Sequence, residues 1–182
     1  MVHCENGSVI DELVDEALAN GNTEPIYHAL TRPEAVEGEA TKRAIELANI
    51  AGAKLYVVHV TCKEAVDEII RAREKGYDVL GETCPPYLTL DISKLAQPGF
   101  EGAKYVWWPP LGHADHQEVW WNALKAKQLQ TIGSDQCSFS FKGKKELGLN
   151  DFSKIPNGGP FIEDRFGILY SEGVAKGRIT VN

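Results

Sequence analysis

The sequence has 182 residues, 26 of them acidic and 19 basic, and a formal net charge of −7. This acidic balance, with no isolated Lys/Arg cluster, argues against nucleic acid or an anionic membrane surface as a partner. No apolar run approaches the roughly 20 residues of a membrane span, and no basic and then apolar signal region follows Met1, so we expect one cytoplasmic globular domain.

The first predicted elements are a short strand and a helix. The chain opens on Met1 and Val2, and it leaves this strand through His3 into a polar Asn-Gly turn. Apolar residues then recur at helical spacing from Ser8 to Ala19, with Ser8 placed to cap the helix.

Strands and helices alternate along the rest of the chain. The patterns predict helices over 31–51, 62–75 and 116–127, and strands over 54–60, 77–82 and 129–133. The apolar, β-branched character of the strands is typical of a parallel sheet that is buried on both faces. Four strands, counting the opening one, therefore indicate an α/β fold.

The cysteines show no spacing typical of a disulfide framework or a zinc ribbon. They lie far apart in or beside apolar segments, at Cys4, Cys62, Cys84 and Cys137. We interpret them as free, buried thiols in a reducing compartment rather than as catalytic thiolates, and only Cys137 is kept in view because of its position.

Three polar residues fall at the carboxyl ends of predicted strands. His3, His59 and Asp135 each end a strand or follow it closely, on the edge where parallel α/β folds place their chemistry. Imidazole and carboxylate groups suit a divalent metal in an open hydrolytic site. A single histidine or aspartate at such a place is more often structural, so the residues alone leave the metal and the structural interpretation open.

Other segments have two interpretations each. The aromatic stretch 105–110 either lines a pocket or packs as a hydrophobic loop. His113 and His116 suggest a metal cluster, although a solvated helix start is favoured. Residues 142–146 are predicted to form an exposed turn, and 157–160 a tight turn whose glycines allow close approach of a ligand.

Six segments in order carry a resemblance to a known family. Together they closely resemble the dihydropyrimidinase and hydantoinase family, cyclic-amide hydrolases of the amidohydrolase superfamily, over nearly the whole chain. The segments are His-Cys-Glu-Asn-Gly at 3–7, Val-Val-His-Val at 57–60, Gly-Glu-Thr-Cys-Pro at 81–85, Gly-Ser-Asp at 133–135, Phe-Lys-Gly at 141–143 and Asp-Phe-Ser-Lys-Ile-Pro-Asn-Gly-Gly at 151–159.

The resemblance implies a site with two divalent metal ions, zinc being the favoured identity, bridged by a carboxylated lysine and a hydroxide. It assigns His3 and His59 to one metal, and it assigns Asp135 to the other metal and to proton transfer as the catalytic residue. It places Asn157 at the substrate's cyclic amide. Trp108 stands where the family usually has a small residue, often serine, whose backbone contacts the substrate.

The resemblance also implies that residues 1–182 form a single partial domain, approximately strands 5–8 of a TIM (β/α)8 barrel with their helices. The family's first-strand His-x-His pair, its bridging lysine and its closing β-sandwich segment have no counterpart in this sequence. The expected activity is hydrolysis of dihydropyrimidines or hydantoins to N-carbamoyl amino acids. The alternative is a non-enzymatic relative that keeps the fold for assembly. We expect a homo-oligomer, a tetramer in the family, or association with the missing half-barrel, which would cover open sheet edges.

Overall fold

A three-stranded parallel sheet organises the computed structural model, which describes residues 1–181. Its strands lie in the order β1, β2, β3, so neighbours in space are neighbours along the chain. In register, Leu55 pairs with Val79 and Glu82 pairs with Thr131. The strand bounds are Leu55–Val57 for β1, Val79–Thr83 for β2 and Thr131–Ile132 for β3.

The predicted opening strand is reduced to a single bridge. Val2 pairs in parallel with Val57; its N–H donates to the Tyr56 carbonyl and its own carbonyl accepts from Val58. The prediction of a strand at the start is therefore right in place and direction but wrong in extent. The opening segment lies on the side of β1 that faces away from β2.

Helices alternate with the strands, as expected for an α/β chain. The α-helices are α1 (Gly7–Ala19), α2 (Tyr27–Leu30), α3 (Glu34–Ile50), α4 (Lys63–Glu74), α5 (Pro85–Thr89), α6 (Gln117–Lys125) and α7 (Arg165–Ile168). Short 3-10 turns cover Ile92–Lys94, Glu101–Tyr105, Ala114–His116, Lys145–Gly148 and Phe152–Lys154, and a π-helical turn covers Leu169–Val174. Within residues 1–181, no helix is long and apolar enough to cross a membrane.

Side-chain caps place the starts of two helices. The Asn6 side chain accepts a hydrogen bond from the Val9 N–H and caps α1, so the prediction of Ser8 as the cap was wrong. At α4 the cap is Cys62, whose Sγ accepts from the Ala65 N–H. This buried cysteine thus has a local structural task.

The sheet is covered on one face only. Leu55, Val57 and Val79 are buried under the helices, whereas Leu80 on the opposite face is 38% exposed. On that open face the Tyr56 hydroxyl donates to Glu82 Oε2 at 2.6 Å and lies 2.7 Å from Thr131 Oγ1, linking the three strands. The prediction of burial on both faces was therefore wrong for residues 1–181, because no part of them packs over this second face.

Candidate active site

His3 and His59 converge where the opening segment and β1 end. Their rings meet edge to face with centroids 4.8 Å apart, and His3 Nδ1 lies 3.1 Å from His59 Nε2. Parallel pairing of Val2 with Val57 brings the two chain exits to the same edge. The structure thus brings together two of the three residues singled out at strand ends.

The two facing nitrogens have the spacing of ligands on one metal ion. Two nitrogens bound at about 2.0–2.1 Å in a tetrahedral arrangement would lie about 3.3 Å apart. Glu5 Oε2 lies 3.0 Å from His3 Nε2, so the proton of His3 belongs on Nε2 and the lone pair of Nδ1 points at His59. A carboxylate behind a ligating histidine is the usual second partner in zinc sites.

Burial keeps His59 in the form that a metal requires. Desolvation, assisted by the neighbouring His3, lowers the pKa of His59 to about 4. The ring is therefore neutral at pH 7, and neutral imidazole is the metal-binding form. This donor set fits a divalent ion such as zinc.

Asp135 lies near this pair without joining it in one ligand group. Desolvation raises the pKa of its carboxyl above the ordinary value, and the nearby His3 opposes this shift. Within residues 1–181, no group of three His, Cys, Asp or Glu side chains is arranged to hold a single metal ion. The structure therefore places Asp135 beside the histidine pair as a separate acidic group.

The backbone is strained at two of the predicted site residues. His59 has φ 39° and Asp135 has φ 46°, both in the left-handed region that non-glycine residues seldom adopt. Such conformations cost roughly 1–3 kcal/mol each and cluster at functional sites. The two conformations mark the two strand ends as places where the surrounding structure fixes a particular side-chain direction.

Trp108 forms a wall of the site. Its ring centroid lies 5.5 Å from that of His3, and its indole N–H donates to Glu5 Oε2. The Arg32 guanidinium lies over the Trp108 ring, 5.4 Å from its centroid. Trp108 is 44% exposed, whereas Val106 and Trp107 are buried, so the aromatic stretch both lines the site and packs into the core.

Asn157 is held in a segment that is tied to the residues after Asp135. The Cys137 N–H donates to the Gly159 carbonyl, and a Cβ on Gly158 would lie 1.9 Å from the Cys137 carbonyl oxygen. Only glycine therefore allows this approach. The Asn157 Oδ1 atom is buried with no hydrogen-bond partner, which leaves an acceptor available to a ligand.

Two minor predictions are right for His113 and Lys144, which are exposed, but wrong for one residue each. His116 is not solvated, because its Nδ1 lies 3.4 Å from Glu34 Oε1 and its side chain is only 14% exposed. Lys145 is not part of an exposed turn, because it is 3% exposed and its Nζ donates to the Val106 carbonyl at 2.7 Å. Burial lowers the pKa of Lys145 to about 8.

Two residues beside the histidine pair, Glu5 and Arg32, were not predicted from the sequence to have a role of their own. Glu5 lies in the His-Cys-Glu-Asn-Gly segment at 3–7, and its i, i+2 spacing from His3 is the one signal for a partner carboxylate. Arg32 had no signal, because it meets Trp108 only through the tertiary fold.

The chain is similar to known cyclic-amide hydrolases over its whole length. It is 68% identical over 182 residues to the D-hydantoinase of Geobacillus stearothermophilus and 51% identical over 181 residues to that of Rhizobium radiobacter, all of this chain and 39% of each relative being covered. The crystal structure of dihydropyrimidinase from Brevibacillus agri superposes with a TM-score of 0.98 at 63% identity, covering 99% of this chain and 39% of the other. No family model matches the chain.

Proposed function

Because this chain belongs to the D-hydantoinase and dihydropyrimidinase family, we propose that it contributes to metal-dependent hydrolysis of the cyclic amide bond of dihydropyrimidines and hydantoins. The products would be N-carbamoyl amino acids. The chain spans 39% of the length of the D-hydantoinases named above, so the activity is proposed for a complete (β/α)8 barrel in which these residues supply approximately strands 5–8. The observation that carries the proposal is the 3.1 Å approach of the two imidazole nitrogens.

His3 and His59 would hold one divalent ion, with zinc as the proposed identity, and Asp135 would hold a second ion with ligands from elsewhere in the barrel. When bound, such ions polarise the scissile carbonyl and make water a nucleophile at neutral pH. Glu5 orients the His3 ring by holding its Nε2–H. Both protein ligands proposed for the first ion thus belong to the described chain.

Three further side chains have proposed roles in the reaction. Asp135, with its raised pKa, accepts a proton from the attacking water and returns it to the leaving ring nitrogen. Asn157 offers its unpartnered Oδ1 to an N–H of the cyclic amide. Trp108 closes one side of the site and excludes water from the reacting groups.

Association of chains is part of the proposal. The open sheet face around Leu80 needs a cover, since exposed apolar strand surface favours association. We propose that the rest of a barrel covers it, within a homo-oligomer such as a tetramer.

The test is metal content by mass spectrometry on this chain, together with hydrolysis of dihydrouracil and hydantoin by a complete barrel that contains these residues. We expect at least one zinc-like ion per chain, lost in His3→Ala and in His59→Ala but retained in His113→Ala, a matched control because His113 is exposed and outside the pair. Hydrolysis should fall with the metal content. No stoichiometric metal on the wild-type chain and no hydrolysis by the wild-type complete barrel would contradict the proposal.

A non-catalytic assembly role is the second candidate. It is favoured by the observation that no three-residue ligand group exists within residues 1–181. Stoichiometric metal without hydrolysis, in a protein that assembles into a defined oligomer, would support this role instead.

A further inference from the structure

The loop that carries Trp108 is held by buried side chains from three separate parts of the chain. Lys145 Nζ donates to the Val106 carbonyl at 2.7 Å, His28 Nε2 donates to the Trp107 carbonyl at 2.9 Å, and the Tyr87 hydroxyl donates to the Pro109 carbonyl at 2.9 Å. Three of the four carbonyls in this loop, residues 106–109, thus accept from a side chain.

All three donors are removed from water. His28 is 1%, Lys145 3% and Tyr87 4% exposed. A buried donor that loses its acceptor pays the full desolvation penalty of that group, about 1–3 kcal/mol and more for a charged one. Displacement of the loop from any one of these donors therefore costs free energy. The three donors bind the loop at separate points.

The Val106 carbonyl also joins this loop to the segment of Asn157. It accepts a second hydrogen bond from the Gly158 N–H at 3.1 Å. Lys145 and Gly158 meet at one oxygen, so the Lys145 ammonium helps to fix the positions of both Trp108 and Asn157. These two residues come from different loops and must keep a constant separation if they are to bind one ligand.

We propose that His28, Tyr87 and Lys145 are positioning residues that fix the loop of residues 106–109, and with it the Trp108 wall, against the His3–His59 pair. They act through the loop's carbonyl groups and do not touch the ligand. The consequence for substrate binding rests on the proposed function; the consequence for Trp108 itself does not.

The first test observes Trp108 directly. The protein has four tryptophans, so 6-fluorotryptophan labelling gives four fluorine resonances, which Trp→Phe variants assign. In Tyr87→Phe and in Lys145→Met we expect the Trp108 resonance to shift or broaden. Trp120 and Trp121, in α6, should keep their resonances and so report that the fold is intact.

Two variants serve as matched controls. Lys144→Met alters the exposed lysine next to Lys145, and Tyr105→Phe alters a tyrosine of the preceding turn; within residues 1–181 neither side chain donates to a carbonyl of the loop. Both should leave the Trp108 resonance unchanged. Lys145→Arg, which keeps a cationic donor, should restore part of the wild-type signal.

The second test measures hydrolysis kinetics of the same variants within a complete barrel. We expect KM to rise about tenfold in Tyr87→Phe and Lys145→Met with kcat changed less than about twofold, because a displaced wall removes contacts that bind the ground state and the transition state equally. An unchanged Trp108 resonance in both variants, or loss of the Trp120 and Trp121 signals in both, would overturn the proposal. A wild-type complete barrel without hydrolysis would refute only the proposed function, since the fluorine resonances still decide the positioning role.

Discussion

At the scale of single residues, His28 shows how strongly the interior selects a protonation state. Its ring is 1% exposed, and desolvation, reinforced by the nearby Arg32, lowers its pKa to about 3 from the ordinary 6.5. The neutral ring still donates to the Trp107 carbonyl. His28 is therefore a hydrogen-bond donor that carries no charge at neutral pH.

This shift predicts a loss of stability in acid. Between pH 6.5 and pH 3 the unfolded chain protonates His28 while the folded chain does not, so the free energy of unfolding falls as pH falls through this window. Since one pKa unit corresponds to 1.36 kcal/mol, the full effect is on the order of 5 kcal/mol. Urea unfolding measured from pH 7 to pH 4 should show a weaker pH dependence in His28→Gln, which keeps an amide donor.

The comparison with His28→Gln isolates the contribution of His28 to the pH dependence of stability, because the two proteins contain the same carboxylates and these titrate in both. Equal pH dependence in the two proteins would contradict the assignment of a buried, neutral His28. At pH 7 and above, His28 is neutral in both the folded and the unfolded chain. Any difference in the free energy of unfolding between the two proteins there reflects only the small change in packing.

The site residues divide by whether the pairing of strands brings them to their partners. His3 and His59 were predictable because strand ends in a parallel sheet meet at one edge, and this convergence is confirmed. The contact of Lys145 was not predictable, because its acceptor lies on an irregular loop rather than at a strand end. Nothing in the surrounding basic sequence distinguishes Lys145 from its neighbours. Local pattern gives the side that a residue faces, but it does not give a contact that the tertiary fold creates.

At the scale of elements, α3 and α4 pack so closely that one position excludes a side chain. A Cβ added at Gly38 in α3 would lie 2.6 Å from the Cβ of Glu64 in α4, nearer than packed carbons approach. The glycine thus permits the two helices to approach each other beside β1.

Gly38→Ala should therefore destabilise the protein. Overpacking costs about 1–3 kcal/mol, which exceeds the gain of about 0.5–1 kcal/mol from replacing a helical glycine. Gly7→Ala is the matched control, since Gly7 is also helical and has nothing within 4 Å of an added Cβ. Thermal unfolding should show a lower Tm for the first variant and an equal or higher Tm for the second; equal stability of the two would contradict close helix packing.

Sequence patterns predicted the order and type of the main strands and helices but overestimated the lengths of the strands. The strand predicted over 54–60 is Leu55–Val57, because the chain leaves the sheet through the left-handed conformation of His59. Hydrophobic pattern reports burial, and Val60 is fully buried without being part of the strand. The strand end was set by backbone geometry, which composition does not encode.

At the scale of the whole molecule, the uncovered sheet face is the feature with the clearest consequence for assembly. Leu80 is 38% exposed and lies in the middle strand, beside the linked side chains of Tyr56 and Glu82. A partner that removes this aliphatic side chain from water is bound more favourably, because burial of apolar surface lowers the free energy.

Leu80→Lys should weaken association of the chain. In sedimentation velocity we expect wild-type protein to form oligomers and Leu80→Lys to shift toward monomer by at least about tenfold in dissociation constant, the effect of about 1.4 kcal/mol. Leu147→Lys is the control, because Leu147 is 62% exposed but lies in a 3-10 turn away from the sheet. A monodisperse, cooperatively folded wild-type monomer would contradict the prediction.

The order of the strands has a consequence for how the chain folds during synthesis. Each strand pairs with the one that was made just before it, from the Val2 bridge through β1 and β2 to β3. Loop closure between successive strands is entropically cheaper than closure between distant ones, and local pairings form faster. A nascent chain can thus extend this sheet by one strand at a time as it leaves the ribosome, without waiting for later residues, so vectorial translation and the native pairing order agree.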